Sequence, residues 1–187
     1  MSEKRFDPKK LHKLNNPKRL HDLPPDYLWT KAGLRAAEVL IDIGAGTGFF
    51  SIPFVPYTKK LYACDISDVM LTWLRENVCP SYPTIVPVKM ETQAVPLPDQ
   101  LADLVYMINL HHELDKPTDL LRESRRLLKD GGKLLIVDWK KQEMAEGPPV
   151  EIRCLPAEVK GEVERAGFRN SVVHEELGKH FLLVAEK

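Results

Sequence analysis

The stretch Val39–Phe50, "VLIDIGAGTGFF", decides how the rest of the chain is read. An apolar run carrying Asp42 meets three glycines at alternate positions, Gly44, Gly46 and Gly48, and two phenylalanines follow. Interior glycine costs backbone entropy, so glycines this dense after a strand mark backbone that must come close to something. "EVLIDIG" itself is short, continuously apolar and closed by glycine, the pattern of a buried parallel strand.

The pattern alternates in both directions from there. A helix is predicted from Gly48 to about Phe54, stopped by Pro56, and "KKLYACDIS" is a second strand ending in Asp65. In "SDVMLTWLRENV", Ser67 is the N-cap, and Val69, Trp73, Leu74 and Val78 follow at helical spacing. "TIVPVKME" is a third strand whose Pro87 calls for an edge or a bulge. "LADLVYMINL" is a fourth, ending near Asn109. "KPTDLLRESRRLLKDGG" is an amphipathic helix with Leu120, Leu121, Leu127 and Leu128 on one side and Gly131 at its C-terminus. "GKLLIVDW" is a fifth strand, "PAEVKGEVERAGF" a helix ended by Gly167, and "NSVVHEEL" with "KHFLLVAEK" a closing hairpin around Gly178. Upstream, Pro24 and Pro25 open a helix to about Leu34, with Asp22 available as its cap.

This alternation predicts an α/β fold: a Rossmann-like, doubly wound, mostly parallel seven-stranded sheet with helices on both faces and an antiparallel C-terminal hairpin. It occupies residues 24–187 as one domain, behind a basic arm over 1–23. The arm carries Lys4, Arg5, Lys9, Lys10, Lys13, Lys18 and Arg19 against Glu3, Asp7 and Asp22, with Phe6, Leu11, Leu14, Leu20 and Leu23 interleaved. It reads as a solvated arm, or as a lid that folds back over the domain. In sheets of this kind ligands bind beyond the carboxyl ends of the strands.

Composition bounds the function. The 187 residues carry 27 Lys and Arg against 27 Asp and Glu, a formal charge of zero, which removes the electrostatic argument for nucleic acid. No apolar run reaches the roughly 18 residues of a membrane span. "MSEKRFDPKK" has no apolar segment behind its charges and does not read as a signal peptide. Three cysteines, Cys64, Cys79 and Cys154, form no CxxC pair, so a reducing cytoplasm is expected.

Two cofactors compete for the glycine turn. A dinucleotide fingerprint, G-x-G-x-x-G, needs a third glycine where this chain has Phe49. By contrast, "IDIGAGTG" followed one strand later by "LYACDIS" resembles the class I S-adenosylmethionine (SAM) dependent methyltransferases. The resemblance implies that the loop through Gly44, Ala45, Gly46 and Gly48 wraps the methionine end of SAM. It implies that Asp65 binds the ribose hydroxyls and that Asp42 helps hold the amino end. An ionised carboxylate suits two hydroxyl donors. The segment from "VKMETQAVPLP" to "LLKDGGKLLIVDW" resembles the quinone-biosynthesis type of these enzymes. There Glu91, with Thr92 beside it, would accept from the adenine amino group. Ile66 and Met90 would sandwich the adenine, and Asn109 would flank the sulfonium. Taken singly, Asp42 could be a turn former, Asp65 a helix cap and Glu91 a surface carboxylate.

The acceptor side is less defined. "NLHHEL" places His111 and His112 at the mouth of the predicted site as bases, or as core and capping residues. Trp139 would line an acceptor pocket, and Glu151 and Arg153 in "GPPVEIRC" would bind substrate or pair with each other. The Asn/Asp-Pro-Pro-aromatic motif of base-amino methylation is absent after the fourth strand, and the cysteines are too dispersed for a metalloid site. The expectation is a cytoplasmic SAM-dependent methyltransferase, without metal, membrane or nucleic-acid partner. Its acceptor would be a small molecule, methylated by in-line displacement, or a partner protein would complete the pocket. The alternatives are a SAM-binding module without transferase activity and a nicotinamide-dependent oxidoreductase.

Overall fold

The structure, a computed structural model, describes residues 7–187; Glu3, Lys4, Arg5 and Phe6 of the arm, and the side chains of Lys9 and Lys10, lie outside the described residues. The strands are β1 (Ala37–Ile43), β2 (Thr58–Asp65), β3 (Ile85–Lys89), β4 (Ala102–Ile108), β5 (Leu128–Trp139), β6 (Arg169–His174) and β7 (His180–Glu186). They form one sheet in the order β3-β2-β1-β4-β5-β7-β6. The first five are parallel, and β7 runs antiparallel between β5 and β6. The predicted doubly wound sheet and closing hairpin are both present.

Period-two alternation divides the core. Leu40, Tyr106, Leu135 and Leu182 point to one face, covered by α2 (Pro25–Ala32) and α3 (Asp68–Trp73) through Leu28, Trp29, Leu71 and Leu74. Ile41, Val105, Ile136 and Leu183 point to the other, covered by α4 (Pro117–Leu127) and α5 (Pro156–Arg165) through Leu120, Leu121, Val159 and Val163. Each fully buried aliphatic side chain contributes about 2 kcal/mol. The winding reverses between β1 and β4 at the centre of the sheet, so the crevice opens beyond Ile43 and Ile108.

Several local expectations change. After β1 the chain forms turns and then a 3-10 helix, Ile52–Tyr57, in which Pro56 is an interior residue rather than a stop. Pro24, not Asp22, precedes α2; Asp22 ends the short α1 (Lys18–Asp22) and accepts from Lys179 Nζ at 2.7 Å. Ser67 does cap α3, its Oγ accepting from Met70 N. However, Val69 is exposed, and the helix buries Met70, Leu71, Leu74 and Val78 by continuing as a π turn over Leu74–Val78. The α4 helix ends at Leu127, because Leu128 already pairs with Ala102. Gly131, at φ +76, lies in the irregularity before Lys133 pairs with Leu104. Pro87 lies on the edge strand β3, where its missing N–H costs no ladder bond to an outer neighbour.

Gly48 closes the turn at φ +75, and a Cβ there would stand 2.6 Å from Leu74 Cδ2. Its bareness makes room for the buried α3 continuation. Gly48→Ala is therefore expected to cost about 1–3 kcal/mol of stability by urea unfolding. An unchanged midpoint would show that Leu74 moves aside freely and that the positive φ is tolerated.

Candidate active site

The carboxyl ends of β1, β2, β4 and β5 and the start of β7 surround a cavity of about 1640 Å³. Strand β7 contributes its first residue because it runs opposite to β5, pairing His180 with Trp139. One half of the cavity is organised by Asp65, which ends β2 and is 8% exposed. Its Oδ2 accepts from Gly46 N at 2.8 Å and its Oδ1 from Ser67 N at 2.8 Å. Its main-chain oxygen accepts from Met90 N, tying in the chain beyond β3. The glycine turn is pinned a second time by Gly44 N and Ala45 N, both donating to Cys64 O. Gly44 and Gly46 have positive φ, at +74 and +54; a Cβ would lie 2.9 Å from Leu110 at the first and 3.1 Å from Leu14 at the second. The cradle thus depends on missing side chains.

Asp42 sits deeper, 3% exposed, accepting from Ser51 Oγ at 2.6 Å. Burial pushes its carboxyl up to about 7, against the Ser51 hydroxyl, which lowers it. Burial likewise raises the Asp65 carboxyl, against the Ser67 and Gly46 N–H groups. Ile66, Met90 and Thr92 line the same half, and Asn109, at φ +60, places a buried, unpartnered Oδ1 beside them. Two of the expected cofactor residues stand apart. Gly48 packs against Leu74, and Glu91 is exposed and outside the cavity wall, which Thr92 and Gln93 reach instead. The turn that returns Glu91 N to Ala94 O accompanies that placement.

In the other half, the two histidines of "NLHHEL" part. His111 is buried and turns to α5, with Nε2 2.7 Å from Glu162 Oε2, outside the cavity. His112 lines the cavity, and its Nδ1 meets Asp138 Oδ1 at 2.8 Å while its main-chain N–H donates to Asp138 Oδ2 at 3.0 Å. Burial acts to lower the His112 imidazole, but the Asp138 carboxylate outweighs it and holds the group above its ordinary 6.5. Asp138, completely buried, is raised by burial and lowered further by His112, so it remains below the ordinary carboxylate value. Trp139 lines this half next to His180, ring centroids 4.2 Å apart.

Glu151 and Arg153 do neither of the things expected of them. The five N–H donors of Arg153 go to main-chain oxygens of Lys140, Gln142, Glu146 and Pro148, two of them to Pro148. The guanidinium is 3% exposed, fixes the loop 140–149 and has no donor left for Glu151 or for a ligand.

The N-terminal segment forms the remaining wall. Asn15 Oδ1 accepts from Thr47 Oγ1 at 2.6 Å, and the Arg19 guanidinium lies over Phe50 (4.8 Å) and Phe49 (5.5 Å). Lys18 pairs with Glu146, which also takes Lys179 Nζ at 2.7 Å. Asp138, His180, Gln93, Thr47 and Arg19 were not among the site residues expected from the sequence, although Arg19 belonged to the expected lid. For His180 a signal existed, because the start of an antiparallel strand beside β5 must fall at the carboxyl ends of the others. Among the described residues no His, Cys, Asp and Glu grouping could hold a metal ion, and no helix is long and apolar enough to cross a membrane.

A glycine-cradled cavity at the switch point, with a carboxylate closing β2, defines a nucleotide-type cofactor site on a Rossmann-like sheet. The family model described as methyltransferase domain matches residues 41–136. The crystal structure of a SAM dependent methyltransferase from Aquifex aeolicus superposes with a TM-score of 0.92 at 33% identity, covering 97% of this chain and 99% of that one. The chain belongs to the SAM-dependent methyltransferases. A ubiquinone/menaquinone biosynthesis C-methyltransferase of Chromobacterium violaceum is 30% identical over 126 residues, 65% of this chain and 51% of that protein. The chain thus spans about half the length of the curated relatives it matches. The [4+2]-cyclase SpnF shares the fold alone, with a TM-score of 0.74 at 18% identity.

In the unliganded protein, Asp42 is protonated on folding at any pH between 3.8 and about 7. A carboxyl raised in the folded state means that stability falls as pH rises across that window. Asp42→Asn, which keeps the neutral shape, is expected to be more stable than wild type above the window, with the gap closing toward its lower edge. Urea unfolding over a pH series checks this; a gap independent of pH would contradict it.

Proposed function

We propose that the enzyme binds SAM in the half of the cavity organised by Asp65 and transfers its methyl group to a small-molecule acceptor in the half bounded by His112, Trp139 and His180. The observation that carries this reading is Asp65 itself. A carboxylate offers about four acceptor directions. The N–H groups of Gly46, Ser67 and Ile66 use only part of this capacity and leave the rest for a ligand's hydroxyls at the end of a strand.

The residues present fit the cofactor. Asn109 Oδ1 and the Asp42 carboxyl are buried acceptors suited to an ammonium group, and the bare Gly44 and Gly46 admit its chain. Ile66 and Met90 offer apolar surface for a base, with Thr92 and Gln93 in place of Glu91 at that edge. SAM, when bound, supplies a methyl group on a positively charged sulfur that departs as a neutral thioether. The protein's part is then positioning and exclusion of water. A volume of about 1640 Å³ exceeds the roughly 300–1,000 Å³ of a single ligand site and leaves room for the acceptor. We take the segment 7–22 to be the lid, since it bridges Thr47 on the glycine turn to Glu146 on the acceptor side.

Titration calorimetry with S-adenosylhomocysteine tests the reading, with NADH in parallel. Wild type is expected to bind the first and not the second, and Asp65→Asn to weaken binding about tenfold or more (about 1.4 kcal/mol). Binding of NADH, or an Asp65→Asn variant that is folded with undiminished affinity, would overturn it.

A further inference from the structure

We infer that Arg19, on the N-terminal segment, binds the carboxylate of the cofactor's amino-acid head, so that the cofactor itself fastens this segment over the site. The inference rests on the SAM reading and deepens it. Asp42 and Asn109 take the ammonium end, and Arg19 takes the carboxylate carried by the same carbon.

Arg19 is a cation at the cavity wall with most of its donors unused. Its guanidinium lies over the rings of Phe50 and Phe49, 4.8 Å and 5.5 Å from their centroids, and these two rings meet edge to face at 5.3 Å. One Nη1–H donates to Leu14 O, and among the described residues no carboxylate forms an ion pair with the group. Burial pulls it down to about 10, and Asp42 is the charge that acts against this from across the cavity. Asp42 is bonded to Ser51 Oγ instead. A leucine or methionine would cover the two rings without the cost of desolvating a charge, so the charge has another use.

The contact with the rings occupies the face of the guanidinium and leaves its edge for a planar anion. A carboxylate matches that edge with two parallel N–H bonds, which a hydroxyl or a ketone cannot do. A negative and a positive group that face one cavity without pairing suit a zwitterion, and an amino acid carries both of its charges on one carbon. Phe49 and Phe50 follow the glycine turn directly, so the surface that carries Arg19 continues the cradle that admits the cofactor's chain.

The backbone beneath Arg19 is braced at both ends of α1. Lys18 is held by Glu146, and Lys179 Nζ bridges Glu146 and Asp22 at 2.7 Å each. Leu23, next along, is 1% exposed in the core, and Asn15 on the other side accepts from Thr47 on the glycine turn. The guanidinium is therefore presented from a fixed support, which limits the entropy lost when a ligand takes it up. Methyl transfer leaves the amino-acid head unchanged, so the contact holds the cofactor equally before and after the reaction.

Calorimetry with two ligands tests this: S-adenosylhomocysteine, and its decarboxylated analogue, which keeps the ammonium group and lacks only the carboxylate. Wild type is expected to bind the first about tenfold or more tightly than the second. Arg19→Gln is expected to lose that preference, binding S-adenosylhomocysteine as weakly as the analogue while its affinity for the analogue stays that of wild type. Arg19→Lys, which keeps the charge without the fork, is expected to fall between them. Equal affinities of wild type for the two ligands would overturn the inference, and this arm needs no variant to fold. A preference that survives Arg19→Gln, including one in which both ligands weaken together, would make Arg19 a structural part of the wall and overturn it too. If wild type binds neither ligand, the SAM reading falls and this inference with it; if it binds S-adenosylhomocysteine without regard to Arg19, only the inference falls.

Discussion

Everything in one half of the cavity hangs on one buried carboxylate. Asp65 ends a strand fixed on both sides by parallel partners, so its position is set by the sheet. From there it holds the glycine turn through Gly46 and the start of α3 through Ser67. Charge-assisted bonds of this kind are about twice as strong as neutral ones, which is what keeps a positive-φ turn in place without side chains to pack. The arrangement costs desolvation of the carboxyl, visible in its raised pKa. The cost is what leaves an acceptor ready at the position where a ligand's hydroxyls would arrive, with no loop to reorganise.

In the other half of the cavity a related device recurs. Asp138 lies one residue before the end of β5, is fully buried, and accepts from main-chain N–H groups as Asp65 does, with the His112 ring in addition. Arg153 does the complementary work on the loop that follows, gathering main-chain oxygens around one guanidinium. The long connection 140–155 thus needs little hydrophobic core of its own; a buried cation satisfies the oxygens that would otherwise face apolar surroundings.

The legible parts of the sequence were those governed by short periods. The strands, the Ser67 cap, the edge position of Pro87 and the order of the motifs along the sheet all follow from local pattern, and they placed Asp42, Asp65 and Asn109 on one rim. What failed depended on partners distant in sequence. Glu91 fell outside the wall because the turn to Ala94 carries it out, and no spacing rule contains that turn. Arg153 looked like a ligand or half of an ion pair because the sequence cannot display main-chain oxygens as its partners. His111 and His112 are identical in type and adjacent, yet a 3-10 turn sends one to Glu162 and the other to Asp138. The boundary at Leu127 was missed because Leu128 suits a helix and a strand equally, and pairing with Ala102 decided it.

The wall built by the N-terminal segment has a consequence for the order in which the molecule can be assembled. Lys18 meets Glu146 across 128 positions, and Asp22 meets Lys179 across 157. During synthesis this segment leaves the ribosome well ahead of its partners, which follow 128 and 157 positions later. The sheet strands β1 to β4 can pair before those partners exist, but the cavity cannot be roofed until the final hairpin is laid beside β5. Contacts that span much of the chain therefore close this wall of the cavity, and the wall forms late, after the sheet rather than before it.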